Sequence, residues 1–342
     1  MIALFAAIGF PRKLSLGLVA MVSFALTISC MPVEAKEVTK SAATAIAKKH
    51  HVRKSTRAHK THRRVSSSRA KSRYATYRSM AGEMGLASHA ALVIDQDSGE
   101  TLLAKNSDAE MPIASLTKLM TALVVVEAHL PLDEVLEISE EDVDREKNTH
   151  SRLTVGTDLT RGQMLLLALM SSENRAAMAL STNYPGGRKA FVAQMNAKAK
   201  ALGMTSTHFA DPAGLSSDSV STARDLHRLV SAAYAQPLIR RDTTHEEETV
   251  LVGRRMQTFI NSNRLVRYGA DWDIGLQKTG FTNEAGRCLV MQVTLQGRRV
   301  AMIFLDSFGK LTRYADATRV RQQIESKFNA EPRLTAVSTT TP

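Results

Sequence analysis

Large apolar residues are almost absent between positions 36 and 80 and abundant after position 88, and this break decides which part of the chain can fold. A segment without apolar side chains cannot bury enough surface to offset the entropy of ordering its backbone. The same segment holds the charge. Of 342 residues, 45 are Lys or Arg and 33 are Asp or Glu, a formal net charge of +12. Residues 36–78 carry 14 of the basic residues and a single acid, Glu37, so they contribute +13, residues 1–35 contribute +1, and the rest of the chain sums to −2. Residues 36–85 therefore read as a disordered basic linker, with Lys48-Lys49-His50-His51 and His62-Arg63-Arg64 as its densest runs. Such a segment either adheres to an anionic polymer or lipid surface, by an attraction that salt screens, or serves as a solvated spacer.

Residues 1–35 have the layout of a secretory signal. Arg12 and Lys13 precede the uncharged run Leu14 to Met31, and Val33-Glu34-Ala35 places small residues for cleavage after Ala35. An uncleaved anchor is the alternative, since a run of 18 residues is at the short end for a spanning helix. The two cysteines, Cys30 and Cys288, exclude a disulfide-stapled scaffold and a cysteine-built zinc site. His50, His51, His59 and His62 fall in the linker and the other histidines are scattered. No metal and no cofactor is expected.

From Ser88 onward the texture is that of a folded domain. Ala90 to Ile94 and Thr101 to Ala104, joined by Asp95-Gln96-Asp97-Ser98-Gly99, predict a β-hairpin. Helices are expected over Thr117–His129, Thr160–Met170, Asn174–Leu180, Arg188–Leu202 and a dozen residues after Ser221, with Pro237 just beyond that last end. Strands return at Trp272–Gln277, Cys288–Leu295 and Val300–Leu305, and Thr312–Phe328 is a final amphipathic helix. Strands at both ends with helices between them predict a mixed α/β domain over 86–330, an antiparallel sheet flanked by helices plus a helical lobe. Residues 331–342 form a polar tail.

Three short patterns follow one another. Ser115-Leu116-Thr117-Lys118 comes first, Ser172-Glu173-Asn174 second, and Lys278-Thr279-Gly280 third. Ser-x-x-Lys also occurs at Ser68–Lys71 and Ser307–Lys310, and Ser-x-Asn at Ser181–Asn183. Only Ser115 stands where a loop gives way to an apolar helix, and there a spacing of three residues stacks hydroxyl on amine. A serine is a poor nucleophile until a neighbouring base takes its proton. Lys118 can be that base only when neutral, whereas a free lysine titrates near ~10.4. Burial and a second cation, supplied by Lys278, both disfavour the charged form. Ser172 would relay the proton to the leaving nitrogen, Asn174 would meet the substrate amide, and the start of the helix after Ser115 favours negative charge on the attacked carbonyl. Two backbone N–H groups would complete an oxyanion hole.

This ordered set resembles the signature of penicillin-binding proteins and serine β-lactamases. The flanks narrow the resemblance. Pro112 to Ala122 is similar to the low-molecular-mass D-alanyl-D-alanine peptidases, while Ser171 to Ala177 and Gln277 to Asn283 resemble the endopeptidases of the penicillin-binding protein 7 type. Asp211-Pro212-Ala213-Gly214-Leu215 and Ser221 to Leu226 are further landmarks of that family. The resemblance spans about Ser88 to Phe328 and implies a penicillin-binding protein/serine β-lactamase-like fold. It implies an acyl-enzyme on Ser115, Lys118 as base, Ser172 as relay, and Lys278 and Thr279 orienting the substrate or the carboxylate of a β-lactam. It also implies that the N–H groups of Ser115 and Phe281 bind the oxyanion, with Gly280 between Thr279 and Phe281.

No Glu-x-x-Leu-Asn segment follows the Ser172 motif, which argues against a class A β-lactamase. No further domain follows the last helix, which favours the endopeptidase branch over the carboxypeptidase branch. The expected activity is hydrolysis of D-alanyl–diaminopimelate cross-links of peptidoglycan in the periplasm, with β-lactams as covalent inhibitors. D-alanyl-D-alanine carboxypeptidase activity is the alternative, and an inactive basic cell-wall-binding protein a third reading. The linker's expected partners are anionic envelope polymers, and export argues against nucleic acid. Cys288 reads as an inert buried thiol, Met111 and Met120 as packing, and Glu246-Glu247-Glu248 as a solvated loop. Arg313 reads as a surface arginine, with a substrate carboxylate as the alternative.

Overall fold

The computed structural model describes residues 85–330. The expected leader, linker and tail lie outside them, but for Gly85. A five-stranded sheet is built from β1 (Ser88–Asp95), β2 (Thr101–Lys105), β3 (Asp273–Thr282), β4 (Gly286–Leu295) and β5 (Arg298–Ser307). Its order is β2-β1-β5-β4-β3, every neighbouring pair antiparallel, so β3 is an edge. Gln296 and Gly297 both take positive φ, 50° and 82°, as a tight β4–β5 turn requires.

Side chains alternate between two cores. Ala90, Leu92, Cys288, Val290, Ala301 and Ile303 face one, while Ala91, Val93, Leu289, Met291, Met302 and Phe304 face the other. A sheet covered on both faces reads as continuous apolar runs, and this made the strands visible.

Among the described residues the α-helices are α1 (Lys118–Glu127), α2 (Arg161–Met170), α3 (Asn174–Thr182), α4 (Gly187–Ala201), α5 (Ala223–Tyr234), α6 (Pro237–Thr244), α7 (Arg264–Tyr268) and α8 (Thr312–Ala330). Helix α8 packs on β1, β4 and β5 over one face, and α5 lies on β1 and β5 over the other. Lys118 to Val125 are all buried, so α1 is a core helix. Thr160 caps α2 through a reciprocal box, its hydroxyl accepting from Gln163 N at 3.2 Å while Gln163 Oε1 accepts from Thr160 N at 2.9 Å. Among the described residues no helix is long and apolar enough to cross a membrane.

Helix α5 ends at Tyr234 with Pro237 just beyond it, as expected, and Pro237 itself opens α6, because a residue without an N–H fits the first turn, where that donor has no partner. One expectation needs correction. The acidic run does not form a loop: Glu247 and Glu248 begin a strand, Glu247–Val252, paired with Arg255–Ile260 across a turn at Gly253. Consecutive acids put a charge on both faces of the strand, which hides its alternation.

Candidate active site

Ser115 lies on a single 3₁₀ turn, Ala114–Thr117, that runs directly into α1. In such a turn residues three apart eclipse each other. Lys118 Nζ accordingly donates to Ser115 Oγ at 2.9 Å. It also donates to Asn174 Oδ1 at 2.7 Å and to the Ala213 carbonyl at 2.7 Å. Lys118 is wholly buried, and burial lowers its pKa to about 7 against the opposing pull of Asp211 and Glu173. A neutral amine keeps two N–H donors, which match Asn174 and Ala213, and its lone pair is then left toward Ser115.

The loop that supplies the Ala213 carbonyl is held by Asp211, whose carboxylate accepts from the backbone N–H groups of Ala213, Gly214, Leu215 and Ser216 at 2.6 to 3.1 Å. Thr121 Oγ1 donates to the Pro212 carbonyl at 2.6 Å and ties the loop to α1.

Ser172 occupies the middle of the three-residue joint between α2 and α3 with φ of +66°. A left-handed serine costs about 1 kcal/mol or more, so the packing of both helices holds it there. Its Oγ accepts from Lys278 Nζ at 2.8 Å. Lys278 is also wholly buried, and its pKa is driven well down by that burial, by Lys118 and by Arg313.

Alternation along β3 sorts its residues. Lys278 and Gly280 pair with Val290 and Cys288 on the face toward the nucleophile, while Thr279 and Phe281 pair with Leu289 and Arg287 on the α8 face. A Cβ on Gly280 would lie 3.0 Å from the Ile113 carbonyl and 3.3 Å from Ser115 N, so only glycine lets β3 approach the nucleophile turn this closely. Thr279 Oγ1 donates to Ser262 Oγ at 2.7 Å.

All the sequence-predicted site residues meet here. Ser115, Ser172, Asn174, Thr279, Gly280, Phe281 and Arg313 line a cleft of about 240 Å³, with Lys118 and Lys278 beneath it. Asn174 differs in detail from expectation: its carbonyl is held by Lys118, and its amide donates to Thr149 Oγ1 at 2.8 Å. Arg313 differs outright. It is 7% exposed, and its Nε and Nη1 are buried without a partner. A buried guanidinium with idle donors facing a cleft suits an arriving carboxylate. The reading as a surface arginine fails because α8 places its first turn over the end of the sheet. Sequence reasoning also missed the Ala213 carbonyl and Ser262, which act through backbone position or as a lone hydroxyl.

The decoys do other work. Ser307 Oγ shares a hydrogen bond with Thr312 Oγ1 at 2.7 Å, and Ser181 Oγ donates to the Met178 carbonyl at 2.6 Å. Burial raises the Cys288 thiol to about 12, as an inert core cysteine requires.

Comparison with known proteins points the same way. The family model described as D-alanyl-D-alanine carboxypeptidase, peptidase family S11, matches residues 77–309. The D-alanyl-D-alanine endopeptidase of Pseudomonas aeruginosa is 52% identical over 243 residues, covering 70% of this chain and 78% of that one. The D-alanyl-D-alanine endopeptidase of Escherichia coli K12 is 46% identical over 248 residues, covering 72% and 80%. Among solved structures, the Streptomyces K15 DD-transpeptidase is 30% identical with a TM-score of 0.65, covering 69% of this chain and 96% of that one. Its mixed α/β architecture is therefore that of the penicillin-binding D,D-peptidases. With the motifs, the fold and these relatives in agreement, the chain belongs to the S11 family of D-alanyl-D-alanine peptidases, which are serine hydrolases.

Proposed function

We propose that this chain is a D,D-endopeptidase that hydrolyses D-alanyl–diaminopimelate cross-links of peptidoglycan through an acyl-enzyme on Ser115. The observation that carries the reading is the 2.9 Å contact between Ser115 Oγ and a fully buried Lys118 whose pKa is about 7. Lys118 takes the hydroxyl proton as Ser115 attacks the D-alanyl carbonyl. The start of α1 and the N–H groups of Ser115 and Phe281 receive the negative charge that develops on the carbonyl oxygen. Ser172, hydrogen-bonded to Lys278, delivers a proton to the leaving nitrogen. Thr279 and Arg313 hold the carboxylate beside that nitrogen, and water then releases the acyl group.

A β-lactam presents a carboxylate and a strained amide in the same relation, so it acylates Ser115 and blocks the cleft. The endopeptidase relatives and the leader read at residues 1–35 support action on the cell wall from the periplasm. The experiment is digestion of purified cross-linked muropeptide dimers, alongside benzylpenicillin labelling followed by intact-protein mass. Conversion of dimers to monomers, with a label that Ser115→Ala abolishes, is the expected result. Trimming of terminal D-alanine from pentapeptides with dimers left intact would make the enzyme a carboxypeptidase instead.

A further inference from the structure

Arg287 stands at the rim of the cleft with no acidic partner among the described residues. It lies directly across from Phe281 in the β3–β4 ladder, so both side chains rise from the α8 face of the sheet. Its guanidinium carbon sits 4.2 Å from the centre of the Phe281 ring. Phe281 is half-exposed and lines the cleft. Arg313, the other cation on this face, is buried and keeps two idle donors. Partial burial and the charge of Arg313 both disfavour protonated Arg287, with Tyr314 opposing them. Two guanidiniums share one face, and neither is offset by an acid.

Their spacing carries information. Arg313 lines the same cleft as Thr279, and its Nη2 donates to Tyr314 OH, which donates in turn to the carbonyl of Ser262, the residue whose hydroxyl accepts from Thr279. Arg287 belongs to the position of Phe281. Thr279 and Phe281 are neighbours on one face of a strand, roughly 6–7 Å apart. An extended peptide lying along the open edge of β3 repeats over the same distance. One anionic group at Arg313 therefore leaves room for a second at Arg287, two positions further along.

We infer that Arg287 binds a second carboxylate of the cross-linked peptide: the free carboxylate of the diaminopimelate that precedes the scissile D-alanine. The inference rests on the endopeptidase reading, in which Thr279 and Arg313 hold the carboxylate beside the leaving nitrogen. Moving past Phe281 then leads onto the acyl side. The phenyl ring holds the guanidinium plane in place, so little freedom is lost when the carboxylate arrives.

The test is a selectivity ratio. Dimers are prepared in three forms: unmodified, amidated on the acyl-side diaminopimelate, and amidated on the leaving-side diaminopimelate. Wild type is expected to favour the unmodified dimer over the acyl-side amide by about fivefold in kcat/KM, mostly through KM, as for one partly exposed charged contact. Arg287→Ala and Arg287→Gln are expected to bring that ratio close to one, and Arg287→Lys to restore part of it. Melting temperature checks that each variant is folded, and the ratio is read within each protein. An unchanged ratio in folded Arg287→Ala, or a loss of selectivity that tracks the leaving-side amide, overturns the assignment. Failure of wild type to cut any dimer overturns the endopeptidase reading and this inference with it.

Discussion

Gly214 passes so close beneath Ala114 that a Cβ on the glycine would lie 1.9 Å from the Ala114 carbonyl oxygen. Gly214 also has φ of +74°, where a side chain is strained whatever the space. It follows the residue whose carbonyl holds Lys118 and lies under the residue that precedes the nucleophile. Gly214→Ala should therefore lower stability by at least about 2 kcal/mol and slow acylation as the Ala213 carbonyl shifts. Urea unfolding and the rate of benzylpenicillin labelling measure the two effects. A variant with wild-type values for both would contradict this account.

The rate of acylation should follow the ionisation of Lys118. With its pKa lowered to about 7, the rate should climb roughly tenfold per pH unit below that value and level off above it. The same shift has a signed effect on stability. Between about 7 and the ordinary value near ~10.4, the unfolded chain binds the proton that the folded chain has lost, so this lysine makes stability rise with pH across that window. Below the window the penalty of burying the cation is fully present. Labelling time courses from pH 5.5 to 9 check the kinetics, and a flat profile would sink the assignment of Lys118 as base.

Arg313→Leu should keep the fold, because the leucine fills apolar space on the first turn of α8, yet lose the carboxylate. A charge-assisted contact of this kind is worth about 1.5–3 kcal/mol, or roughly a 10- to 150-fold fall in kcat/KM. The loss should be largest for substrates with a free carboxylate beside the scissile amide and small for their esters. Equal losses for acid and ester would point to a structural role.

Cys288 should ignore thiol reagents in the folded enzyme. It is fully buried in β4, and burial holds its thiol near 12. Stoichiometric reaction with an aromatic disulfide is expected only after denaturant is added, and rapid labelling of native protein would refute the buried placement.

Much of the site was legible because its chemistry lies in side chains at fixed short spacings. Ser115 and Lys118 are joined by one helical turn, and Lys278 and Gly280 by the alternation of one strand. Groups that act through position were less legible. Ala213 contributes a carbonyl that any residue possesses, aimed by the Asp211 turn and by the absence of a Cβ on Gly214. Arg313 looked like an ordinary helix-surface arginine, since nothing local tells which side of α8 faces the sheet. The start of α6 was hidden for a related reason: Pro237 marked the stop of α5 at Tyr234 correctly, but a proline beyond one helix fits a loop as well as the first turn of another, and only tertiary context decides. The long sheet was readable because both of its faces are covered, whereas the Glu247–Ile260 hairpin, largely exposed and mixed in character, was not.

The reacting groups come from stretches of chain that are remote from one another. Hydrogen bonds link residue 118 to 174 and to 213, and residue 172 to 278. No fragment that stops short of β3 holds both a hydroxyl with its base and the strand that receives the peptide. Hydrolytic competence therefore arrives late, after nearly the whole domain has been assembled. A β-lactam label in turn reports completed tertiary structure rather than the mere presence of the polypeptide. For a hydrolase directed at the polymer that confines its own cell, that coupling acts as a built-in delay, keeping unfinished molecules harmless.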